Sequence, residues 1–234
     1  MTAILKKELN SYFTSAIGYV VMAVYYFFAG LFFYFYCIVG NSKDMASLFS
    51  NMFMITVLVI PIITMKTFSE EKKQKTDQAL LTSPLGLGEI VSGKFFGSLI
   101  MFICCVGIYV LFALTLTFYS APDWSVFLGN LLGTIILGAA MISIDIFISS
   151  LTESMIISAI VSMCFGLVIF FIDSISQLIS VSWISTAISS ISFVDHYSNF
   201  TKGILSVADT VFFLSIIVLF NFLTLRVLEK RRWS

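Results

Sequence analysis

An all-α, polytopic membrane protein with six transmembrane helices in a single domain, residues 1–234, is what this sequence predicts. Of its residues 59% are hydrophobic and only 11% charged, and the mean hydropathy is +1.03; soluble domains run at about 45–50% apolar and about 25% charged. The apolar residues gather in runs long enough, at about 1.5 Å per residue, to cross about 30 Å of hydrocarbon as helices. The charges gather between those runs, because each ionised side chain in mid-bilayer costs about 2.5–3.5 kcal/mol. Formal net charge is zero, which leaves no electrostatic footprint for nucleic acid.

Taken in order, residues 4–14 place Leu5, Leu9, Tyr12 and Phe13 on one helical face and Lys6, Lys7, Asn10 and Thr14 on the other. That pattern predicts an interfacial helix with its lysines toward anionic headgroups. The apolar run that follows is too long for a signal-peptide core and is expected to be a retained span, residues 16–39. Further spans are expected over 48–67, 90–118, 126–151, 155–172 and 210–228. Pro61 lies inside the second, where it removes one backbone hydrogen bond and is expected to kink the helix. The serine-rich stretch 174–206 predicts one or two short helices dipping into the membrane from the far face. Of the 13 lysines and arginines, all but Lys43 and Lys202 then fall on one side. By the positive-inside bias, both termini and the loop between spans two and three are cytoplasmic.

That loop carries the densest charge, with Lys66, Glu70, Glu71, Lys72, Lys73, Lys75 and Asp77. Residues 69–83 are expected to form a short surface helix: Glu70 to Leu81 has no Gly or Pro, Ser69 is placed to cap it, and two glutamates suit its positive end. Pro84 forbids continuation, and Leu80 and Leu81 supply an apolar tip.

Candidate chemistry elsewhere is sparse. Gly88 to Lys94 has the spacing G-x-x-x-x-G-K, but Phe95 stands where a P-loop needs a hydroxyl for Mg²⁺, and no strand precedes it. Asp145 is the one clear carboxylate inside an expected span. Either it is a proton- or cation-linked site facing the bundle interior, or it lies close enough to the cytoplasmic end to find water or a hydroxyl such as Ser143 or Ser149. His196, the single histidine, has no second nitrogen or thiolate nearby for zinc. Cys37, Cys104, Cys105 and Cys164 lie in apolar runs without C-x-x-C spacing and are expected to pack as small apolar residues. Asn199-Phe200-Thr201 fits a glycosylation sequon by a motif too short to carry weight.

The stretch PIITMKTFSEEKKQKTDQALLTSPLGLGEIVSGKFFG resembles the cytoplasmic loop of ABC type-2 permeases, most closely the branch of the gliding-motility and copper-maturation permeases. The segments KKELNSYFTSAIGYV, FISSLTESMIISAI, DHYSNFTKGILSVADTVFFLS and RVLEKRRW extend the resemblance over nearly the whole chain. It implies an N-terminal elbow helix over 4–14, a coupling helix over 69–83 and short external helices over 174–206. It further implies a permease subunit of an ATP-driven exporter in a bacterial cytoplasmic membrane. ATP and Mg²⁺ would sit on two copies of a separate cytosolic ATP-binding cassette ATPase, so this chain would be no enzyme and would bind no cofactor or metal. A second permease, the same chain or a paralogue, and an accessory subunit outside the membrane are the other partners implied. Glu70, Glu71 and Lys72 would be polar contacts to the ATPase and Leu80 and Leu81 its apolar anchor. Two positions depart from the family: Lys75 stands where glycine is usual, and Asp145 where a small or apolar residue is expected. The alternatives are an ATP-independent secondary transporter using Asp145, an intramembrane enzyme using His196, and a membrane anchor for an accessory complex.

Overall fold

A computed structural model describes residues 1–40, 45–78, 86–118, 123–176, 192–204 and 206–232, without the side chains of 173–176. The elements are α1 (Thr2–Thr14), α2 (Ala16–Phe33) continued by a π-helical stretch (Tyr34–Val39), α3 (Ala46–Thr64), the short α4 (Ser69–Lys73), α5 (Leu87–Val106), α6 (Ile108–Thr117), α7 (Trp124–Leu151), α8 (Met155–Ser176), α9 (Phe193–Thr201) and α10 (Val207–Arg232). Six helical segments are long and apolar enough to cross a membrane, α5 and α6 forming one of them across Gly107, and no strand occurs among the described residues.

The bundle is built around α7, the most deeply buried span, against which α3, α5, α8, α9 and α10 all pack. Helices in lipid gain little from the hydrophobic effect on association, so close backbone approach and crossing hydrogen bonds decide the packing. At Gly138 of α7 an added Cβ would lie 2.1 Å from the Phe102 ring of α5. Buried hydroxyls then tie the spans: Tyr25 of α2 meets Tyr109 of α6 at 2.8 Å and Thr56 of α3 at 3.4 Å. Thr134 of α7 meets Tyr197 of α9 at 2.9 Å. Each bond satisfies a group that would otherwise be stranded in an apolar interior.

Several expected boundaries shift. The second span begins at Ala46, with α3 ending at Thr64 and Pro61 inside it; the third begins at Leu87, the fourth at Trp124, and the last runs Val207–Arg232. Of the short far-face helices α9 is described, and residues 177–191 lie outside the described residues. In α1 the buried face is Ile4, Glu8 and Tyr12, whereas Phe13 is exposed and Leu5 and Leu9 are half-buried. Tyr12 thus stays on the buried face while Leu5, Leu9 and Phe13 turn from it, and Glu8 is drawn inward by the buried Lys94 of α5.

Residues 69–78 do not form one helix, and 79–83 of the expected helix lie outside the described residues. α4 stops at Lys73, and Lys75 sits at φ 56° in the left-handed region. Neither does Ser69 cap it, because its hydroxyl is turned to Ser149. Such a left-handed turn suits glycine, which has no Cβ to clash there. Lysine at such a φ costs about 1–2 kcal/mol, and glycine returns about 0.5–1 kcal/mol of that as backbone entropy. Lys75→Gly is therefore expected to raise stability by roughly 0.5–1 kcal/mol and Lys75→Val to lower it, read by thermal unfolding of the purified protein.

Candidate functional site

Both chain ends and residues 65–78 meet at one end of the bundle, in a buried charged junction. Its geometry starts from two glycines. On α5, Gly93 and Gly97 lie one turn apart, and a Cβ there would stand 2.9 Å from Ile4 Cγ2 and 2.8 Å from Glu8 Cβ respectively. Gly93 and Gly97 thus form a packing notch for α1, which brings Glu8 over Lys94.

Lys94 is 1% exposed. Its Nζ lies 2.7 Å from Glu8 Oε1 of α1 and 3.0 Å from Glu71 Oε2 of α4, and it donates to the Thr67 carbonyl at 2.5 Å. An ammonium has three protons to donate; Glu8 and the Thr67 carbonyl each accept one, and Glu71 Oε2 completes the set as an ion pair. The Phe68 ring centroid, 4.9 Å away, closes the apolar side. Glu71 Oε1 also accepts from Lys7 Nζ at 2.7 Å. Partial burial disfavours the charge on Lys7, but the bond to Glu71 and the fields of Glu71, Glu8 and Glu70 outweigh it and hold Lys7 above the ordinary lysine range. Two lysines and two glutamates balance within the junction, so the set carries no net charge and its attractions offset the cost of desolvation.

A second set of bonds fastens α4 to the end of α7. Ser149 Oγ accepts from the backbone N–H groups of Phe68 and Ser69 at 3.2 Å each, and Ser69 Oγ donates to the Ser149 carbonyl at 3.1 Å. Lys72 donates to the Ser150 carbonyl, one of the C-terminal carbonyls a helix leaves without partners. Beyond the turn, Arg231 at the end of α10 reaches Asp77 at 3.0 Å and Glu153 at 3.9 Å. Segment 65–78 is thereby bonded to α1, α5, α7 and α10.

Of the residues singled out in the sequence, Glu71 and Lys72 are engaged inside the chain and Glu70 is half-buried, accepting from Gln74 at 3.3 Å. Lys73, Gln74, Lys75, Thr76 and Gln78 are the exposed polar side chains among the described residues there. Leu80 and Leu81 lie outside the described residues. Asp145 is 1% exposed, and neither of its oxygens has a hydrogen-bond partner. Its place near the end of α7 therefore does not open it to bulk solvent. Ser143 donates to Ala140 O at 2.7 Å and Ser149 serves α4, so neither reaches it. At the other end of the bundle, Asp209 joins His196 Nδ1 at 2.5 Å and Asn199 Nδ2 at 2.8 Å, clasping α9 to α10. His196 stacks on Phe212 at 4.1 Å, a packing role. No group of three or more metal-ligating His, Cys, Asp or Glu side chains occurs among the described residues.

Glu8 and Arg231 did not stand out in the sequence, and Lys94 and Ser149 entered it only as the lysine of a rejected P-loop spacing and as a possible hydroxyl partner of Asp145. For Glu8 and Lys94 one signal was present: Ile4, Glu8 and Tyr12 recur at helical spacing, and Gly93 and Gly97 flank Lys94 at small-residue spacing.

The family model for ABC-2 family transporter proteins matches residues 2–233. The chain belongs to this family. It is a transmembrane permease component of an ABC transporter, with six apolar helices as the membrane-spanning part. A search of curated proteins found no relative. In this ABC-2 chain the charged junction is the feature that joins the loop between spans two and three to the spans themselves.

Proposed function

We propose that this chain is the permease half of an ATP-driven exporter of the cytoplasmic membrane, with segment 69–83 docking on a separate cytosolic ATPase. The observation that carries the reading is the Lys94 junction: a force on α4 reaches α1 and α5 through Lys94 and α7 through Ser149. Closure of two nucleotide-bound ATPase subunits would rock the spans as a body, and only differential binding of nucleotide to the two states can drive it. The lysine and arginine bias supports a cytoplasmic placement of both termini and the junction. Exposed Lys73 and Lys75, with Leu80 and Leu81, would form the docking surface, and Glu70, Glu71 and Lys72 would hold its shape from within. The second permease would be a copy or paralogue, the 174–206 segment would cover the pathway on the outer side, and the branch would be that of the gliding-motility and copper-maturation permeases.

The test is co-purification from native bacterial membranes, comparing wild type with Leu80→Asp/Leu81→Asp and reading ATP hydrolysis in both eluates. The expected result is an ATPase that accompanies the wild type and is lost from the variant. ATP hydrolysis absent from both eluates, with the permease intact, would overturn the reading.

A further inference from the structure

We propose that Asp145 of α7, with the hydroxyls of Thr64 on α3 and Ser162 on α8, forms an internal site for one small monovalent cation, a proton or Na⁺. The proposal is independent of the ATPase reading and rests on three observations.

First, the three side chains are each about 1% exposed, so none meets bulk water. Second, both carboxyl oxygens are buried without a hydrogen bond of ordinary geometry, although the Ser162 and Thr64 hydroxyls lie beside them. Ser158, one helical turn from Ser162 on the same face, is a further buried hydroxyl without a partner. Third, Thr64 directs its proton elsewhere, donating to the Ile60 carbonyl at 3.1 Å. It therefore presents lone pairs to a group that is itself an acceptor. Facing oxygens of this kind repel unless something positive stands between them.

The surroundings supply nothing positive. Among the described residues, no charged side chain on any helix packed against α7 acts on the carboxyl. A bare carboxylate in a span is among the most costly groups a membrane protein can hold, and a buried polar group left unsatisfied calls for an unseen partner. A proton would neutralise Asp145 and donate to the waiting Thr64 oxygen. Na⁺, a hard cation, would be held by the carboxylate with Thr64, Ser162 and Ser158 as neutral oxygen donors. The pattern is unlike the charged junction, where each acid already has its cation. Because the donors come from α3, α7 and α8, occupancy would hold these three spans together.

The experiment is thermal unfolding of the purified protein in lipid nanodiscs, in sodium, potassium and choline chloride of equal strength, from mildly acidic to mildly alkaline pH. Wild type is compared with Asp145→Asn, which keeps the shape and removes the charge. With Na⁺ as occupant, the wild-type midpoint rises in sodium over choline, and Ser162→Ala weakens the apparent Na⁺ affinity about tenfold, as for one lost contact of about 1.4 kcal/mol. With a proton as occupant, the midpoint rises as pH falls in every salt alike. In either case Asp145→Asn loses the response. Should that variant fail to fold, ²²Na⁺ binding and the infrared band of a protonated carboxyl at alkaline pH are read on the wild type, where surface carboxyls are ionised. Identical salt and pH responses in wild type and variant would overturn the proposal, as would the absence of both bound ²²Na⁺ and the carboxyl band.

Discussion

Lys94→Met is expected to destabilise the protein by about 3–5 kcal/mol, the usual cost of removing one partner from a buried ion pair. The substitution keeps the length of the side chain and takes away its charge. Glu8 and Glu71 are then left against each other in a site that Lys94 had closed, with only the more exposed Lys7 to compensate. By contrast, cutting the Lys7–Glu71 pair alone is worth about 0–1 kcal/mol, because Lys7 is largely solvated. The two cases separate cleanly in thermal unfolding. A neutral triple variant, Lys94→Met/Glu8→Gln/Glu71→Gln, should recover most of the loss, since replacing every member of a buried charge set removes the desolvation cost with the attraction. A Lys94→Met protein as stable as wild type would mean that Lys94 is not the charge that holds the junction together.

Gly138→Val is expected to cost about 1–3 kcal/mol or more, the range for forcing extra atoms into a packed core. Even the first added carbon would fall 2.1 Å from the Phe102 ring, and the ring is fully buried. Either α5 moves off α7 or Phe102 leaves its rotamer, and both disturb the central contact of the bundle. Phe102→Ala in the same chain should restore part of the loss, because it opens the space the valine needs. The double-mutant cycle gives the coupling between the positions directly; a coupling near zero would show that α5 and α7 do not meet there.

Six spans, their order and the end at which the charges collect were legible in the chain, because hydrocarbon admits only long apolar helices and expels unpaired charge. The family was legible too, from the loop after Pro61 and the C-terminal segments. Boundaries moved where polar residues join a helix that leaves the membrane, as at Leu87 and Arg232. Harder to read were the pairings. Glu8 shares a helical spacing with Ile4 and Tyr12, but that spacing does not name its partner, which lies 86 positions away. Lys75 is expected inside a helix over 69–83, although it stands where the resemblance implies glycine, and its left-handed backbone follows the end of α4 at Lys73.

By itself, then, the sequence determined which segments cross the membrane and on which side positive charge accumulates, since both follow from the solvation of single residues in water and lipid. Which charges are neutralised in place, as at Lys94, and which carboxyl stands without a partner, as at Asp145, only the tertiary structure decided. Pairing depends on distances between helices far apart in the chain, and in a low-dielectric interior a difference of a few ångströms separates a satisfied ion from a stranded one.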